Sequence, residues 1–178
     1  MAKTIFSFDA ETNGLWGQAF AIGARLYDGV SGEVLAQFVR RCPIEGTVDG
    51  WVQNNVLPQM TEVPVSHADY SALLSDFAGF YLANKDGADV IVHMGVPVEA
   101  KVLIDMHAHG LIGAWDGPYP LLDVSGHLAQ AGEDPTSVDG YRSKYGLELS
   151  ADFAGGSHNP LFDSEVAARV FIHLRSRT

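Results

Sequence analysis

Three β-type runs follow one another before any helical period begins. That order restricts the chain to sheets that start as an antiparallel meander. Residues 4–8 (Thr-Ile-Phe-Ser-Phe) are β-branched and aromatic, the pattern of a buried strand. Residues 19–27 and 33–41 are apolar-rich and are joined by residues 28–32 (Asp-Gly-Val-Ser-Gly), a hairpin turn signal. Residues 42–65 read as irregular, because Pro43, Gly46, Gly50, Pro58 and Pro64 interrupt any period. Ser66 then offers a cap for a helix whose apolar positions, Tyr70, Leu73, Leu74, Phe77 and Phe80/Tyr81, recur at three and four. A short strand over 88–93 precedes a helix from Pro97 to His109, which Gly110 stops. A fifth strand is predicted over 119–123 and a helical pair over 124–147, broken at residues 132–135 (Gly-Glu-Asp-Pro). The last helix runs from Pro160 to about Arg175. A meander followed by alternating helix and strand gives an α/β fold: a five-stranded mixed sheet with helices on both faces, one domain over residues 1–178.

With 178 residues, 47% of them hydrophobic, the chain is long enough to bury a core without disulfide staples. Its apolar content, with 19% charged residues, excludes disordered and collagen-like classes. No apolar run approaches the ~20 residues of a bilayer span, so no membrane partner is expected. The opening run reaches Asp9 too soon for a secretory leader, and Cys42, the one cysteine, suits a reducing cytosol; a cytoplasmic protein is expected. The formal net charge of −11 argues against a sequence-specific DNA binder held by a basic surface. It does not argue against an enzyme that grips a few phosphates through bound cations, whose local field outweighs the molecular sum.

Three sets of acids are out of place for a simple fold. Asp9 and Glu11 directly follow the first strand, and acids two apart on an extended chain share a face, so their side chains can converge on cations. A solvated turn would also explain an isolated pair of this kind. If Asn159 caps the last helix and Pro160 opens it, Asp163 lies in the first turn on the stripe of Val166, Ala167 and Val170. The helix dipole accounts for an acid there, but not for its inward face. Five residues earlier, His158 sits on a glycine-rich approach to the same point. Glu99 shares a stripe with Val102, Leu103 and Met106 in the first turn of its helix and faces inward with them. Strand ends and first helical turns are neighbours at the carboxyl edge of such a sheet, where α/β ligands bind. Converging carboxylates stay ionised only when cations neutralise them, and hard oxygen ligands indicate Mg²⁺ or Mn²⁺.

These residues resemble the DEDDh 3′–5′ exonucleases, the DnaQ-like group of the ribonuclease H-like fold. The first motif of that group, D-x-E-T-x-G-L, is matched by Asp9, Glu11, Thr12, Gly14 and Leu15, and its third, H-x4-D, by His158 and Asp163. The second motif, H-N-x-x-F-D, departs: His93 is followed by Met94, with Pro97 and Val98 in the Phe and Asp positions. Glu99, one residue later and one methylene longer, takes that role. The resemblance implies a 3′–5′ exonuclease that releases nucleoside 5′-monophosphates from single-stranded DNA or RNA ends with two Mg²⁺ or Mn²⁺ ions. It assigns Asp9, Glu11, Glu99 and Asp163 to the metals, Asp9 as the bridge, and His158 as general base. Imidazole suits that task near neutral pH. Thr12, the backbone through Asn13, and Leu15 would meet the terminal nucleotide, and Trp16 could stack on a base or pack on the next loop.

Weaker candidates are Trp51, Phe153, Arg142 and Lys144 for holding a strand, and Lys101 and Arg169 for approaching phosphates, although helical phase turns the last two toward solvent. Asp105, His107 and His109 read as a polar helix end and Asp123 as a helix cap. The rival readings are a non-catalytic member of the same fold that binds nucleic-acid ends or a protein, and a hydrolase of small nucleotides. DNA versus RNA preference, homodimer formation and protein partners stay open.

Overall fold

A computed structural model describes residues 4–150 and 156–177. The expected meander is β1 (Thr4–Thr12), β2 (Ala19–Asp28) and β3 (Val34–Arg41), paired antiparallel. β4 (Ala88–Val92) and β5 (Leu122–Asp123) extend it in parallel from β1, giving the order β3-β2-β1-β4-β5 with β1 central. α1 (Tyr70–Asn84) and α2 (Val98–Ala108) cover one face; α3 (Val124–Gln130), α4 (Val138–Tyr145) and α5 (Pro160–Ser176) cover the other. No helix among the described residues is long and apolar enough to cross a membrane.

Alternation along β1 sorts its side chains between the two faces. Phe6, Phe8 and Ala10 pack with Leu73, Phe77 and Tyr81 of α1 and Val102 of α2. Ile5 packs with Ile91 of β4 and Val166 and Phe171 of α5. Ser7 points the same way as Ile5, since its hydroxyl donates to Ser164 O of α5 at 2.7 Å. By the same period Asp9 and Glu11 are carried to the α5 face.

The structure corrects several local expectations. β1 does not end at Phe8: β2 supplies ladder partners as far as Thr12, with an irregularity between Glu11 and Thr12. Asp9 and Glu11 therefore lie on the strand itself. Ser66 does not cap α1; Asp69 does, its carboxylate accepting from Ala72 N, while the Ser66 hydroxyl bonds to the backbone of Arg41. The irregular 42–65 segment contains a π-helical turn (Val52–Val56) and a 3₁₀ turn (Leu57–Met60) that bury Val52, Val56 and Met60. The fifth strand shrinks to two residues, because Pro118 and Pro120 have no N–H to give a ladder. α2 begins at Val98, with Pro97 in the cap position.

Two devices fix α5 against the sheet. Gly23 pairs with Asp9 across the ladder, and a Cβ at that position would lie 2.3 Å from Leu161 N and 2.4 Å from Pro160 C. Only a glycine lets the first turn of α5 come this close to β2. Farther along, Glu165 is fully buried and is met by the Arg25 guanidinium, by Ser150 N and Oγ, and by Arg169. The buried carboxylate is thus satisfied on both oxygens, the condition under which such a charge is tolerated.

Replacing Gly23 with Ala forces backbone against backbone, and overpacking of this kind costs about 1–3 kcal/mol or more. Urea unfolding of Gly23→Ala is expected to show at least that loss; wild-type stability would mean that α5 does not dock as described.

Candidate metal centre

Strand alternation and two helix starts deliver acids to one place. Asp9 and Glu11 occupy the α5 face of β1 toward its carboxyl end. Asp163 lies in the first turn of α5, whose start is set by the Asn159 side chain accepting from Leu161 N and by Pro160 at the first helical position. Glu99 lies in the first turn of α2, is 3% exposed, and accepts from Ala10 N through Oε1 at 2.9 Å. That bond crosses from the second motif to the residue between Asp9 and Glu11.

His158 adopts φ +69°, a conformation costly for a non-glycine residue. Its N–H donates to Asp163 Oδ2 at 2.8 Å, which offsets part of that cost. The ring lies beside the acids, with Nδ1 4.0 Å from Glu11 Oε1. Glu11, His158 and Asp163 offer ligand atoms that all lie within 4.8 Å of one another.

The electrostatics report the same convergence. Burial pushes the Asp9 carboxyl well above the usual range, and Glu99, Asp163 and Glu11 push it further. Burial also raises Asp163 to about 8, with repulsion from Glu11 adding to it. Glu99 goes up to about 8 by burial, against the hydrogen bond from Ala10, and Glu11 to about 7 by burial. Closely spaced carboxyls whose ionisation is opposed this strongly are an arrangement that a bound cation would relieve. The four carboxylates offer hard oxygen donors, which fit Mg²⁺ or Mn²⁺.

A cleft of about 410 Å³ opens beside this group, lined among others by Asp9, His93, Asp139, His158 and Asp163. Leu15 and Trp16 stand on the loop after β1, 61% and 75% exposed, so Trp16 does not pack away on a neighbouring loop. Thr12 is buried. Asn13 is engaged within the protein: its N–H donates to Gln18 O, its side-chain NH₂ to Thr47 O, and its Oδ1 accepts from Asp49 N.

The weaker candidates separate. Arg142 pairs with Asp139, Lys144 with Glu133, Lys101 with Asp105, and Arg169 with Glu165. His107 and His109 are exposed at the end of α2. Phe153 lies outside the described residues. Asp123 caps α3 as expected, accepting from Ser125 N, but the same carboxylate also accepts from Met94 N and Gly95 N. It thereby anchors the loop that leads into α2 and Glu99. Burial works against its charge, yet these hydrogen bonds hold its pKa below the ordinary value. Sequence reasoning missed Asp49, whose side chain accepts from Trp51 N and Val52 N; an Asp-Gly pair ahead of a helical turn is the signal that could have found it. It also missed Asp139, whose charge raises the Asp163 pKa after burial and Glu11.

Neither a family sequence model nor a curated protein sequence matches this chain. Solved structures do. The nuclease domain of 3′hExo, a DEDDh family member, bound to rAMP, superposes with a TM-score of 0.70 at 13% identity, over 99% of this chain and 93% of that one. The chain has the fold of the DEDDh exonucleases. S. pombe Pop2p in its Mg²⁺- and Mn²⁺-bound form matches with a TM-score of 0.68 at 13% identity, over 97% of this chain and 83% of that one. Exonuclease X in complex with 5′ overhanging duplex DNA matches with a TM-score of 0.63 at 16% identity, over 98% and 92% of the two chains. The mixed five-stranded sheet is ribonuclease H-like, as the sequence resemblance implied.

The raised carboxyl pKa values fix the sign of a pH effect. Acids near 4 in the unfolded chain and near 7–8 when folded make the folded state bind more protons between those limits. Their stabilising contribution is complete below about pH 4 and is lost as pH rises through about 8. The Tm of the protein in chelator is therefore expected to fall between pH 5 and 8, and Mn²⁺ to raise it more at pH 8 than at pH 5. Thermal melts at both pH values check this; an equal Mn²⁺ effect at each would contradict it.

Proposed function

We propose that this chain is a divalent-metal-dependent 3′–5′ exonuclease that releases nucleoside 5′-monophosphates from single-stranded DNA or RNA ends. The observation that carries the reading is the meeting of Asp9, Glu11, Glu99 and Asp163, from three separate elements, beside the His158 imidazole. A purely binding module has no need of a base aimed at a set of acids. The neighbours lend support through what they hold: rAMP in 3′hExo, Mg²⁺ and Mn²⁺ in Pop2p, and DNA in Exonuclease X.

Asp9, Glu11, Glu99 and Asp163 would hold two Mg²⁺ or Mn²⁺ ions, which supply positive charge to the scissile phosphate and the leaving 3′-oxygen. Asp9 stands at the electrostatic centre, since each of the other three acids raises its pKa. Glu99 replaces the shorter Asp of the usual second motif, and its bond from Ala10 N holds the longer side chain inside the cluster. His158 accepts the proton of the attacking water through an imidazole nitrogen. Thr12, Leu15 and Trp16 meet the terminal nucleotide, with Leu15 and Trp16 exposed for contact with its base. Asn13 contributes by shaping that loop from within.

The test uses 5′-labelled single-stranded DNA and RNA with Mn²⁺ or with chelator. A ladder shortening from the 3′ end, mononucleotide products and no reaction in chelator are expected. Asp9→Asn should abolish turnover with the fold retained, and His158→Ala should slow it by about 10²–10⁴-fold. Undiminished turnover in Asp9→Asn would overturn the assignment.

A further inference from the structure

The segment after β3 ties the first acidic motif to the third. Asn13 grips it twice, donating to Thr47 O at 3.0 Å and accepting from Asp49 N at 2.7 Å. Asp49 Oδ1 in turn accepts from Trp51 N at 2.9 Å and Val52 N at 3.2 Å, which turns the chain into its helical segment. Val52 is buried and anchors that segment in the core. Trp51 beside it is 57% exposed, so its ring is not there to fill the core. That ring meets the imidazole of His158 edge to face, with centroids 5.2 Å apart and planes at 90°.

His158 has reason to need such a neighbour. Its backbone is held by the bond from its N–H to Asp163, but that bond leaves the ring free to rotate about the side-chain torsions. The side chain is 39% exposed, and a ring with that much solvent around it can swing away from the acids. An edge-to-face aromatic contact limits that swing through quadrupole complementarity and excluded volume.

We infer that Trp51 is a positioning residue, whose ring keeps the His158 imidazole turned toward Glu11 and Asp163. The kinetic consequence rests on the exonuclease reading above; the placement of the ring does not. Because Asn13 belongs to the first motif and His158 to the third, the segment couples the loop that receives the substrate end to the orientation of the base.

Steady-state kinetics on 5′-labelled single-stranded DNA with Mn²⁺ test the inference. Trp51→Ala is expected to lower kcat about 10- to 100-fold, the scale of a misplaced reacting group, with KM nearly unchanged. Trp51→Phe, which keeps a flat ring, should recover most of kcat. Added to His158→Ala, Trp51→Ala should cost nothing further, since it acts through that imidazole. In the protein with chelator, NMR at one fixed pH should show the His158 ring-proton resonances shifted in Trp51→Ala and returned toward wild type in Trp51→Phe. A raised KM at unchanged kcat, which would make Trp51 a base-stacking platform, overturns the inference. So does an additive loss in the double variant, or unmoved ring resonances. If the wild-type protein turns over no oligonucleotide, the exonuclease reading fails by itself, and the NMR comparison alone decides the role of Trp51.

Discussion

Repulsion among carboxylates crowded beside a cleft, Glu99 buried and Asp9, Glu11 and Asp163 half-buried, is the constraint around which this structure is organised. Asp9, Glu11, Glu99 and Asp163 each oppose their own ionisation through burial, and most of them also through one another. An arrangement like this costs folding free energy unless positive charge enters it. The fold nevertheless makes several specific contacts that keep the acids together.

Those contacts come from separate parts of the chain. Gly23 brings the first turn of α5 onto β2 directly beside Asp9. The Ser7 hydroxyl bonds to the α5 backbone two residues from Asp9, and the Arg25–Glu165 pair fixes the next turn of the same helix. On the other side, Ala10 N holds Glu99, and Asp123 holds the loop that leads to it. The Asn13–Asp49 link and the Trp51 ring then close the circuit from the first motif to His158. The acids sit on two helix starts and a central strand, while the rim, at Leu15 and Trp16, is open to solvent.

The strands of the meander and the two long helices were legible because each rests on a local period in the sequence. The limits of elements were less so. β1 runs on to Thr12 because β2 offers partners, and no residue within β1 announces that. Ser66 and Asp69 both have capping side chains, and only the path of the chain near Arg41 decides between them. The acids themselves stood out in the sequence because charge on a core-facing stripe is costly, whether at Asp163 or at Glu99. What joins them was invisible for the opposite reason. Asp49 and Trp51 lie in a stretch broken by glycine and proline, and their partners are 36 and 107 residues away in sequence. Gly23 looked like any glycine in a strand until α5 was placed over it.

If these carboxylates are assembled to bind divalent cations, the ions must be found among them. Anomalous diffraction from crystals soaked in Mn²⁺ tests it without recourse to activity. Anomalous density is expected within bonding distance of the Asp9 carboxylate, shared with Glu11 or Asp163. Carboxylates pointing apart, with manganese bound elsewhere or nowhere, would contradict it.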